Sequence, residues 1–133
     1  MGIPVPKEHP LQSIDRLFSF TRKIQQAAGN VPVVGNGYTW LRQWIPYAGA
    51  ANLKDHSCSF VGLGRSSFAY PLAPKDILRT GKMDSEKCCI TCSKCTQIMR
   101  DHGKTGCVIR DKEVYAKLYQ EARKEAEQRE KMG

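Results

Sequence analysis

Apolar residues first recur at helical spacing after a proline-rich, loop-like start from Met1 to Pro10. Leu11, Ile14, Leu17, Phe18 and Ile24 fall along one face, Pro10 suits a first helical turn, and Gly29 supplies a stop. The spacing predicts an amphipathic helix of about five turns. The period then changes. Val31-Pro32-Val33-Val34 is a short apolar run without alternation, closed by Gly35-Asn36-Gly37, and suits a strand buried on both faces. Helical spacing returns near Thr39, with Trp40, Leu41 and Trp44 on one side, and Pro46 either breaks that stretch or opens a short helix through Leu53. Cys58 to Leu63 is a second unalternated run, closed by Gly64-Arg65. Helix, strand, helix, strand is the pattern of parallel α/β units. A further helical turn or two is predicted around Pro74 to Leu78, followed by a cysteine-rich segment. Val114, Tyr115, Leu118, Tyr119 and Ala122 then mark a last helix that becomes wholly polar.

Two parallel strands expose unpaired edges and need neighbours, so the 133-residue chain reads as the end of something larger. No apolar run approaches the roughly 18–20 residues of a membrane span, and the start lacks a signal pattern, which points to the cytoplasm. The net charge of +8 raises nucleic acid as a partner. Its distribution argues against one: residues 1–74 hold seven basic against three acidic residues, and residues 75–133 hold fourteen against ten. A phosphate-tracking patch is normally clustered, whereas the tail from Lys124 to Lys131 mixes both signs as a solvated helix face does.

Five of the six cysteines lie between Cys88 and Cys107. Cys89, Cys92 and Cys95 are separated by two residues each, and eleven residues separate Cys95 from Cys107. A tight loop of thiolates plus one distant return is the arrangement a four-iron cluster or a tetrahedral zinc ion requires. A [4Fe–4S] cluster, zinc and free thiols are the three alternatives, with Cys88 offering another register. His102 lies nearby and is read as a loop residue; Cys58, in a strand, is read as a small hydrophobe. Trp40 and Trp44 are read as core or interface anchors. Glycines at strand ends let a backbone approach a phosphate closely, and an arginine adds charge and paired donors. On residue chemistry alone, however, Gly35-Asn36-Gly37 and Gly64-Arg65 are better explained as two tight turns and one surface arginine.

The strings VPVVGNGYTWLRQW (31–44) and CSFVGLGRSSFAYP (58–71) resemble the seventh and eighth strands of the NADH:flavin oxidoreductases, the old yellow enzyme family. The likeness continues through DILRTGKMDSEKCCITCSKCTQIM (76–99) and TGCVIRDKEVY (105–115), which is similar to members with a cysteine motif after the barrel, such as the dienoyl-CoA reductases. The resemblance implies an α/β fold: the C-terminal portion of a TIM (β/α)8 barrel, about its last two βα units. Residues 1–80 would supply those units, 81–110 the metal or iron–sulfur segment and 111–133 the C-terminal helix.

It further implies that Gly35, Asn36, Gly37, Gly64 and Arg65 hold the FMN phosphate. The flavin ring, the substrate pocket and the proton donor would lie on earlier strands, and NAD(P)H would be the reductant. The remaining barrel strands become the expected partner, and the isolated chain is expected to be inactive. In those relatives the cysteine gaps run two, three and eleven; here the middle gap is one residue short. A cluster passing electrons to FMN and a metal clip pinning the tail to the barrel both fit that motif. A different class of reading is a free-standing small metal-binding module that contacts a protein or nucleic acid.

Overall fold

In the computed structural model, which describes residues 7–132, the chain is mostly helical around a small parallel sheet. Most of the proline-rich start read as a loop lies outside the described residues. Helix α1 spans Pro10–Ala28. His9 caps it: its imidazole accepts from the Leu11 amide, and Gln12 reaches back to the His9 amide. Pro10 occupies the first turn, where its missing N–H costs no bond, and Gly29 ends the helix at φ +58°.

Strands β1 (Val34–Gly35) and β2 (Phe60–Val61) pair in parallel, with Val34 opposite Phe60 and Gly35 opposite Val61. The ladder extends by one bond on the far side, the Gly62 amide donating to the Gly35 carbonyl at 2.7 Å. The strands are therefore shorter than the apolar runs predict. They are also not buried on both faces, since Val31, Val34 and Phe60 stay 63%, 52% and 60% exposed. The reason is physical: a parallel strand is buried only when further strands and crossover helices cover it. The described residues form no closed barrel; the α/β reading holds at the coarser level of a parallel pair joined through helices.

Between the strands, Thr39–Trp44 forms a 3-10 turn interrupted at Arg42 (φ +51°), and α2 runs Ile45–Lys54 with Pro46 in its first turn. Pro46 thus opens a helix. Trp40 and Trp44 are not core residues, being 41% and 60% exposed. After β2 come α3 (Gly64–Ala69) and α4 (Ala73–Thr80), the latter closed by Gly81 in the left-handed region. The core lies beyond the strand ends. Tyr38, Ile45, Tyr70, Ala73, Met83 and Cys88 are buried together, and Phe18, Leu41, Val61 and Leu63 pack on them. The segment after α4 is therefore anchored to the strand-bearing part by Met83 and Cys88.

Helices α5 (Lys94–Arg100) and α6 (Lys112–Met132) close the chain. Ile98 is fully buried, and Ala122 and Ala126 supply the flat face α6 turns inward. A buried carboxylate, Asp101, accepts from Gln97 at 2.9 Å and pairs with Arg123 at 3.3 Å, while Arg129 donates to the Asp101 carbonyl at 2.8 Å. The rest of α6 is polar, with Lys117–Glu121 and Arg129–Glu125 pairs four residues apart. Gly103 sits where the helices approach: a Cβ there would lie 2.8 Å from Ile98 Cγ2 and 3.0 Å from Ala122 Cβ. Neither atom can retreat from a packed position. Gly103→Ala should cost about 1–3 kcal/mol as an overpacked site. Hydrogen exchange should register this as faster exchange of α5 and α6 amides; unchanged protection there would mean the two helices are not closely packed.

Candidate functional site

The parallel pairing brings the two glycine turns side by side. Asn36, Gly37, Gly64 and Arg65 line one cavity of about 550 Å³, together with Thr39, Trp40, Thr91, Glu8 just before α1, and Ser13 and Ile14 in its first turns. That size falls within the few hundred to a thousand Å³ usual for small-molecule sites. Gly35 is not among the lining residues. It is buried behind them, where a Cβ would meet Cys58 Sγ at 3.0 Å and the Tyr38 hydroxyl at 3.2 Å. Burial pushes the Tyr38 phenol up to about 12, and its oxygen accepts from Asn52 at 2.8 Å. Cys58 lies buried beside it as a small hydrophobe, although it falls just before β2 and not within a strand.

The glycines in this region have different reasons to be glycine. At Gly37 (φ +95°) a Cβ would collide with Leu17, and at Gly62 with the Asn36 side chain. At Gly64 a Cβ would meet no protein atom within 4 Å, and its φ is not in the left-handed region. Packing within the chain therefore gives no reason for glycine at this position on the cavity wall. The Glu8 carboxylate, which also lines the cavity, is neutralised locally. Arg16 grips it through both oxygens and Ser13 donates at 2.6 Å, so its pKa is lowered, chiefly by Arg16. Arg65 has no carboxylate partner among the described residues.

A second, smaller pocket adjoins the first. Cys89, Cys92, Cys95 and Cys107 all line it, with Arg65, Thr91, Ser93 and Arg110 between them. Cys88 does not. Its side chain is 1% exposed in the core, its thiol donates to the Asp84 carbonyl at 3.3 Å, and Arg110 clamps its carbonyl at 3.0 and 3.1 Å. Of the two registers the spacing allows, the fold gathers the one beginning at Cys89. His102, at φ +64° just past α5, is exposed and is not among the pocket's lining residues.

Two amides already point at sulfur: Thr91 N–H donates to Cys89 Sγ and Arg110 N–H to Cys107 Sγ, both at 3.3 Å. Such bonds favour thiolate and tune bound metal centres. The Cys89 thiol is nonetheless raised above its usual range, first by burial and then by the three neighbouring sulfurs, against the Thr91 amide. Thr91 and Ser93 hold left-handed backbone at φ +56° and +60°, a conformation that costs non-glycine residues and gathers at functional loops. Among the described residues, no three His, Cys, Asp or Glu side chains are drawn closely enough to hold a single metal ion.

The cysteine spacing is legible in the sequence; the shared wall is not. Thr91, Ser93 and Arg110 are missed by sequence reasoning, and the signal that could have found them is their place between or just after ligand-spaced cysteines. Glu8 and Ser13 carried no signal, because only tertiary packing brings the start of α1 to the strand ends. No protein-family model, curated protein or solved structure matches the chain.

The geometry orders thiol reactivity in the metal-free protein. Cys92 is exposed, Cys89 is half-buried with a raised pKa, and Cys88 and Cys58 are buried. Alkylation followed by peptide mapping should label Cys92 first, Cys89 more slowly, and Cys88 and Cys58 only on unfolding. Early labelling of Cys88 would contradict the register.

Proposed function

We propose that this chain is the C-terminal end of an FMN-dependent NAD(P)H:flavin oxidoreductase of the old yellow enzyme type. In this reading α1 to β2 belong to the last two βα units of a TIM barrel. The observation that carries it is the juxtaposition of two sites: a cavity walled by Asn36, Gly37, Gly64 and Arg65, and beside it a pocket walled by Cys89, Cys92, Cys95 and Cys107.

The residues fit a phosphate ester. Asn36 and Arg65 offer side-chain donors, and Gly64, which protein packing does not require, allows a ligand to approach the backbone closely. The pairing of Glu8 with Arg16 offsets the one carboxylate that lines the cavity among the described residues. In this account Gly35 acts behind the site, letting β1 pack against Cys58 and Tyr38. The flavin ring, NAD(P)H and a small-molecule substrate would be positioned by the other barrel strands, and the same strands would cover the exposed Val31, Val34 and Phe60.

Of the two centres, a [4Fe–4S] cluster is favoured over zinc by the resemblance, since the four thiols lining this pocket keep the first and last gaps of its motif, two and eleven residues. When bound, such a cluster exchanges single electrons. The chain's own residues would hold it by four sulfurs, donate to two of them from the Thr91 and Arg110 amides, and set the Arg65 guanidinium beside its negative charge.

Anaerobic reconstitution of the chain, followed by metal and sulfide analysis and visible absorption, tests this. The expected result is about four irons and four sulfides per chain with a broad band in the visible blue. Cys89→Ser should abolish them and Cys88→Ala should not. Flavin peaks should join only when the earlier barrel strands are supplied. Zinc without flavin in either preparation would replace this reading with a metal-stapled binding module.

A further inference from the structure

Two residues, Arg65 and Thr91, line both the cavity at the glycine turns and the cysteine pocket. Arg65 follows Gly64 in the first turn of α3, just after β2, and its Nη1 donates to Ser93 Oγ at 3.2 Å across 28 residues of sequence. Ser93 lies between Cys92 and Cys95, and Thr91 between Cys89 and Cys92. Both are held in left-handed backbone, which their side chains disfavour. The Thr91 amide is spent on Cys89 Sγ. The arginine that faces the cavity is thus fastened to the loop that presents three of the four thiols.

We propose that anion binding in the cavity and metal loading of the cysteine pocket are coupled, with Arg65 and Ser93 as the positioning residues. The inference rests on the reading of the two sites given above and adds a link between them. A centre gripping Cys89, Cys92 and Cys95 immobilises the loop, fixes Ser93, and holds the Arg65 guanidinium in one rotamer before an anion arrives. An anion on Arg65 in turn restrains Ser93 and opposes the loop opening that must precede release of a ligand sulfur. Because the link is thermodynamic, each occupant strengthens the other by the same factor. The Arg65–Ser93 contact is solvent-exposed, so the factor belongs at the low end of the usual range, about fivefold at low salt.

The test uses the full chain, reconstituted anaerobically with iron and sulfide, and inorganic phosphate as the probe. Phosphate binding is followed by its phosphorus resonance and iron loss to a chelator by visible absorption, with chloride at matched ionic strength as the control. Saturating phosphate is expected to slow iron loss about fivefold, and loaded protein to bind phosphate about fivefold more tightly than metal-free protein. Ser93→Gly suits φ +60° and deletes the acceptor, and should erase both effects. Ser93→Asn tolerates the same backbone and restores an acceptor, and should return them. If phosphate binds and iron loads but neither alters the other, the coupling is wrong and the reading of the two sites stands. Failure of the chain to take up iron, or to bind phosphate, overturns the reading of that site and the coupling with it.

Discussion

Parallel pairing of Val34 with Phe60 and Gly35 with Val61 is the constraint on which the arrangement depends. In parallel strands both C-terminal ends face the same way, so the turn leaving β1 and the turn leaving β2 meet at one end of the sheet. The register leaves Asn36-Gly37 beside Gly64-Arg65, and the Gly62 amide bond to Gly35 fixes it one residue further. A slip of one residue would reverse the faces of Gly35 and Val61 and drive a side chain into Cys58 and Tyr38. The absence of a side chain at Gly35 is what lets the two strands and the core behind them close.

From that end the core carries the geometry outward. Cys88 and Met83 are buried with Tyr38 and Tyr70, so the segment after α4 returns to the strand ends. Arg110 clamps the Cys88 carbonyl and brings Cys107 back to the loop of Cys89, Cys92 and Cys95. Asp101 then fastens α6 across α5 through Arg123 and Arg129. The left-handed residues Thr91 and Ser93 are the local cost of turning the loop so that sulfurs and an amide face inward together.

Much of this order is legible along the chain. The helical spacing of Leu11, Ile14, Leu17, Phe18 and Ile24, capped by Pro10 and Gly29, gives α1 almost to the residue. The unalternated runs give both strands, and the cysteine gaps give the four pocket residues. What is not legible depends on tertiary packing. Periodicity cannot tell that Trp40 and Trp44 stay exposed, because that follows from what covers the chain. Spacing alone cannot choose between Cys88 and Cys89, since neighbouring residues in a loop face opposite ways and only the core decides which turns inward. Nor does a glycine turn announce which of its members reaches the cavity: Gly35 is spent on packing, while Gly64 is left open. The barrel reading comes from resemblance, and the two short strands carry only its α/β part.

The central claim is that an anion site and an iron–sulfur site share a wall at Arg65 and Thr91. Phosphorus relaxation measures that proximity directly, because a paramagnetic centre broadens a nearby nucleus with a steep distance dependence. With the reconstituted chain reduced to its paramagnetic state and phosphate in exchange, the account predicts strong broadening of the phosphorus line. That broadening should be lost in Cys89→Ser protein and greatly weakened by Arg65→Ala. A bound phosphate whose line stays as narrow with the reduced centre as in metal-free protein would contradict the account, since the two sites would then lie far apart.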